Sequence, residues 1–125
     1  MISFTTLAFV LLLHFLADFG LQTHEQATGK STSLKWLTYH VGVYSIMWLL
    51  ASWYYLGDFR IALIFSVITF ICHWITDFVT SRIGKPYWDK QDFHNGFVVV
   101  GFDQVLHYIQ LVGTLIFCST LYYPN

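Results

Sequence analysis

Charge is scarce in this 125-residue chain: Lys, Arg, Asp and Glu make up 10% of it, against roughly 25% in ordinary soluble domains. Hydrophobic residues reach 56% and aromatic residues 20%, so there is too little polar surface to cover a water-soluble globule. The six Lys and Arg residues form neither a run nor a stripe, which leaves out the phosphate-neutralising patch of a nucleic-acid-binding surface. Cysteine is rare too. Cys72 and Cys118 fall in different apolar segments, so neither a disulfide nor a shared metal site is expected of them. The N-terminal stretch lacks a basic leader and a small-residue cleavage site, and it contains His14 and Asp18. A retained first helix is expected there rather than a cleaved signal.

What the sequence does have is long apolar runs. Four segments, about 2–22, 35–56, 60–82 and 97–122, approach or exceed the roughly 20 residues a helix needs to cross the hydrocarbon core. The expected fold is all-α, a polytopic membrane protein with four transmembrane helices in one domain spanning 1–125. The polar stretch 23–33, with Gly29 inside it, reads as a loop. Gly57 and Asp58 make a tight turn, and Gly84, Lys85 and Pro86 break the third helix ahead of a long polar segment, 87–96. Lys30, Lys35, Arg82, Lys85 and Lys90 fall on one side of such a topology and Arg60 alone on the other. The positive-inside bias then puts both longer loops in the cytoplasm and both termini outside, in a bacterial inner membrane. Trp36, Tyr87 and Trp88 form the cytoplasmic aromatic belt, and Trp53, Tyr54, Tyr55, Tyr122 and Tyr123 the far one.

Seven ionisable residues stand inside these spans: His14 and Asp18, His40, His73 and Asp77, Asp103 and His107. An aspartate at mid-span costs about 2.5–3.5 kcal/mol on insertion scales, so something must compensate them. Each His/Asp pair is four residues apart, which puts both side chains on one helical face. With helices alternating in direction, Asp18, Asp77, Asp103 and His40 form one layer and His14, His73 and His107 a deeper one. Imidazole and carboxylate together suit Zn, Mn, Fe, Co or Ni, and helical bundles build such sites from side chains projecting inward. All seven are therefore candidate ligands of one divalent metal, or of two sharing carboxylates. The other readings are a hydrogen-bonded network that only fixes helix packing and a proton or ion pathway.

Gln22 and Gln110 extend two of these faces, and Tyr44 lies one turn beyond His40, where it could orient a ligand or substrate although aromatic packing is the role expected of it. His94, Asp89 and Asp92 fall in the third loop, which could cover the site as a lid. Gly42, Gly101 and Gly113 are expected to permit close helix approach. His14-Phe15-Leu16-Ala17-Asp18-Phe19 reappears as His73-Trp74-Ile75-Thr76-Asp77-Phe78, suggesting two helical hairpins in a parallel repeat.

The His14-to-Asp18 motif followed by Gln22, the lone His40, the His73-to-Asp77 motif, and Asp103-Gln104 with His107 together resemble a group of short phage and bacterial membrane proteins catalogued only as a domain of unknown function. The resemblance covers nearly the whole chain. A weaker one, through the His-x-x-x-Asp pair in a hydrophobic helix, is to bacterial inner-membrane metal-dependent hydrolases, and it implies hydrolysis at His14, Asp18, His73 and Asp77. The expected function is a metal-dependent hydrolase acting at the inner leaflet on a lipid or small phosphoester, with Asp18 or Asp103 as general base. The alternatives are a divalent-cation or proton transporter or channel, and a phage protein acting on a host membrane component through a purely structural cluster, with homo-oligomerisation through the glycine-bearing helices.

Overall fold

Helices account for all the regular structure in the computed structural model, which describes residues 2–122. In chain order they are α1 (Phe4–Phe15), a π-helical segment (Leu16–Gly20), α2 (His24–Gly29), α3 (Leu34–Leu56), α4 (Phe59–Asp89) and α5 (Phe93–Tyr122). Short polar side chains start each helix by accepting backbone N–H groups that have no partner inside it. Ser3 caps α1, Ser33 α3 and Asp58 α4, while the Asp92 carboxylate accepts from Asn95 N–H at 3.2 Å at the start of α5. Gly57 ends α3 at φ 73°, a left-handed conformation that glycine adopts without steric cost.

Cross-helix pairs show four rods running alternately up and down. Thr6 meets Tyr55 at 3.0 Å and His14 meets Tyr44 at 2.7 Å, so α1 and α3 are antiparallel. Ser66 to Ser45 and Trp74 to Thr38 give the same relation for α4 and α3. Gln110 to Thr69 and His107 to Asp77 give it for α5 and α4. The two His-x-x-x-Asp helices are therefore parallel to each other.

The bundle interior is divided. Val10, Trp48, Phe65, Leu111 and Leu115 belong to an apolar core cluster, and the seven ionisable side chains fill the other half, all buried. Large apolar side chains point outward instead: Leu12 is 70% exposed, Phe97 65% and Ile109 66%. Helices α4 and α5, 31 and 30 residues long, are long and apolar enough to cross a membrane, and Phe4–Gly20 is a shorter apolar helix. At 23 residues α3 has the length, but its histidine, serines and tyrosines dilute its hydropathy. Tyr123 of the expected far-side belt lies outside the described residues.

Several sequence expectations need correction. The 23–33 stretch is not simply a loop, because Thr23 and Gln26 cap each other's backbone N–H reciprocally and start α2. That Thr-x-x-Gln signature was present in the sequence. Residues 84–86 do not break the third helix, which runs through Pro86 to Asp89. The turn containing Pro86 is held by packing: the Trp88 ring meets Phe93 and Phe97 and fills the space a side chain at Gly96 would need. Such contacts outweigh the lost hydrogen bond near a helix end. The fourth helix starts at Phe93, so His94 lies in its first turn and no long lid loop remains. A Cβ at Gly42, Gly101 or Gly113 would meet nothing within 4 Å, so these glycines do not serve close approach within the chain.

Candidate metal centre

Three helices bring the His/Asp pairs to one place, as four-residue spacing on converging faces requires. The π segment carries the first aspartate: Leu21 N–H donates to Leu16 C=O at 2.9 Å, and this widened turn buries Ala17 and Asp18 side by side. π-turns are rare and concentrate at functional sites.

Asp18 Oδ1 lies 3.0 Å from His40 Nε2 and 3.5 Å from His73 Nε2. Asp77 Oδ2 lies 3.3 Å from His40 Nε2 and 3.5 Å from His73 Nε2. The two Nε2 atoms face each other at 3.2 Å. Two imidazole nitrogens and two carboxylate oxygens thus converge, each within 4.8 Å of the others. The two Nε2 atoms face each other as well as the carboxylates, and at most one of them can donate to the other. These four side chains could hold a metal ion. A second group, Asp18, Asp103 and His107, meets the same distance criterion and shares Asp18 with the first.

His14 lies outside both groups. The Gln104 amide nitrogen donates to Asp18 Oδ2 and Asp103 Oδ2, each at 3.1 Å, so its Oε1 must accept from His14 Nε2–H at 2.7 Å. In the neutral ring His14 Nδ1 then accepts the Tyr44 hydroxyl at 2.7 Å. Each link fixes the next, giving the neutral imidazole an Nε2–H tautomer in a directed chain from Tyr44 to two carboxylates. The rings of His73 and His107 stack at 4.1 Å, and their Nδ1 atoms have no hydrogen-bond partner among the described residues.

Two contributors, Lys30 and Thr80, were not foreseen from the sequence. Lys30, read as a loop charge, places Nζ 2.8 Å from Asp77 Oδ2; burial works against its ammonium, yet Asp77 first, then Asp18, hold its pKa above the ordinary lysine value. Thr80 donates to Asp103 Oδ1. Tyr44, whose orienting role was the lesser of the two sequence readings, holds His14 through its hydroxyl and also lies against the His73 ring at 3.9 Å. No spacing signal marks Lys30 or Thr80, whereas Tyr44 was visible one turn from His40. Gln110 bonds Thr69 and Thr114 away from the cluster.

A cavity of about 450 Å³ opens beside the cluster, between the π segment, α2, α4 and α5. Asp18, Lys30, Asp103 and Gln104 are on its wall, while His40, His73, Asp77 and His107 are not. Gln22 and Ser81 also line it, and Gln22 Oε1 and Ser81 Oγ have no hydrogen-bond partner among the described residues. On the other side of the cluster the described cavity is apolar and only about 20 Å³. Cys72 and Cys118 are both free thiols.

Residues 6–123 match the model of a family described as "Protein of unknown function (DUF3307)". No curated protein and no solved structure matches the chain.

Proposed function

The chain belongs to the DUF3307 family, and from that premise, which brings no activity with it, we propose a four-span membrane metalloprotein that hydrolyses a phosphoester or ester reaching it from the cytoplasmic leaflet. The observation that carries this reading is the convergence of Asp18, His40, His73 and Asp77 beside an open polar cavity. A divalent ion held there supplies Lewis acidity and a more acidic water. Asp103, the cavity-wall carboxylate outside the inner group of four, orients the attacking water and takes its proton. The water oxygen attacks phosphorus or the carbonyl carbon, the ester bond breaks, and the proton passes to the departing alkoxide. Lys30, Gln22 and Ser81 offer hydrogen bonds to an anionic head in the same cavity.

The four-span reading adds α3 and Phe4–Gly20 to the two helices that meet the length and hydropathy test. Supporting it, α1 and α3 turn Leu12, Phe15, Ile46 and Leu50 outward while burying their ionisable residues, the reverse of a soluble bundle. Transport is the weaker reading. Tyr44, Trp48, Phe65 and Leu111 are buried within the bundle, and the small cavity beyond them has no ionisable side chain on its wall, only the hydroxyls of Thr6, Ser52 and Tyr55.

The test is elemental analysis of detergent-purified protein prepared without chelator, followed by turnover on ester and phosphoester substrates, including lipids. At least one divalent ion per chain is expected, with Asp77→Asn losing it and lowering turnover by at least about a hundredfold. Metal-free protein from metal-supplemented growth would overturn the proposal.

A further inference from the structure

We infer that the cluster is a two-ion centre bridged by Asp18, an inner ion being held with it by His40, His73 and Asp77 and an outer one by Asp103 and His107 beside the cavity. The inference rests on the metal-site reading above and deepens it.

The argument is in how the carboxylate oxygens divide. Asp77 turns Oδ2 to His40, His73 and Lys30, and Oδ1 to His107 at 3.1 Å. Asp18 turns Oδ1 to His40 and His73, and Oδ2 to the Gln104 amide that also holds Asp103 Oδ2. Asp103 Oδ2 in turn lies 3.4 Å from His107 Nε2. Asp18 therefore belongs to both sets. The inner set is His40, His73, Asp18 and Asp77; the outer set is His107, Asp103 and Asp18, with Asp77 Oδ1 reaching it through His107. A carboxylate shared in this way suits paired ions about 3.5–4 Å apart.

Charge and access separate the two positions. With neutral imidazoles, three carboxylates and the Lys30 ammonium leave two negative charges, which one divalent ion cancels. A second ion leaves an excess of positive charge that suits an anionic ligand, so the substrate class is a phosphate ester. The inner set contributes only Asp18 to the cavity wall, whereas the outer set contributes Asp18 and Asp103. The Gln104 amide nitrogen, donating to both outer carboxylates, stands where a positive group belongs. The outer set has two carboxylates and one nitrogen and suits a harder ion such as Mn²⁺, while the inner set, with two nitrogens, suits Zn²⁺ equally.

Chelator-treated full-length protein in detergent, titrated with Mn²⁺ and followed by elemental analysis and electron paramagnetic resonance, tests this. The wild type should bind two equivalents and replace the six-line spectrum of an isolated ion with an exchange-coupled one. Asp103→Asn should retain one equivalent with the six-line spectrum and lose the coupled signal. Saturation of the wild type at one uncoupled equivalent would overturn the two-ion inference and leave the single-ion reading standing; no Mn²⁺ or Zn²⁺ bound at all would overturn both. The wild-type stoichiometry gives this answer even where a variant does not fold.

Discussion

The Tyr44 hydroxyl sets the proton positions of its neighbours, because its bond to His14 leaves that ring one nitrogen to donate to Gln104. Tyr44→Phe keeps the ring against His73 and deletes only the oxygen. It should therefore leave His14 Nδ1 buried without a donor and cost about 1–3 kcal/mol, read as a lower midpoint of denaturation in detergent. Because His14 orients Gln104, which holds Asp18 and Asp103, metal affinity should fall about 10- to 100-fold in a chelator competition. A variant as stable and as tightly loaded as the wild type would show that the relay is only packing. This scale also shows what the sequence could reveal. Seven ionisable residues stood out because burial in an apolar span is costly and so demands a reason. Lys30 did not, since a lysine in a polar segment already has one in solvation; its pairing with Asp77 depends on α2 turning the chain back over the bundle. Gln104 and Thr80 are uncharged and fit any helix, so only their neighbours reveal them.

Among the elements, the connection between α4 and α5 shows packing overriding local preference. Gly84 and Pro86 are poor helix residues, and the expected break there follows from propensity alone. The helix persists because Trp88 is wedged against Phe93, Phe97 and the bare face of Gly96, whose added Cβ would sit 2.9 Å from the indole. Gly96→Ala should push the ring off this seat and destabilise the protein by about 1–3 kcal/mol. Gly101→Ala, on the same helix with nothing within 4 Å of the new methyl, should instead stabilise it by about 0.5–1 kcal/mol through backbone entropy. Denaturation of the pair side by side checks both signs, and a costly Gly101→Ala would point to a partner covering that face. The π segment was illegible for a related reason. A one-residue expansion leaves the apolar content of a helix unchanged, and the four-residue spacing of His14 and Asp18 reads the same either way.

At the scale of the whole molecule, a half-polar interior stands against an apolar exterior. Large side chains such as Leu12, Phe97 and Ile109 face outward, an orientation that costs nothing in the hydrocarbon surrounding proposed above. The alternation of four apolar runs was legible because each turn has a chemical cause, and the antiparallel pairing follows from short connections. The expected side of each loop rests on Lys30, Lys35, Arg82, Lys85 and Lys90 against Arg60, a bias worth testing because the cavity beside the cluster is lined by Lys30 and Lys85. In sealed inverted inner-membrane vesicles, Thr32→Cys and Lys90→Cys should react with a membrane-impermeant maleimide, and Tyr54→Cys only after the vesicles are opened. Native Cys72 and Cys118, within apolar helices, supply the unreactive background. If the loop positions are protected and Tyr54→Cys is labelled, the cavity faces the other leaflet, and a substrate arriving from the cytoplasm is ruled out. If all three label together in sealed vesicles, α3 does not span, and the bundle must instead hide its apolar face against another protein.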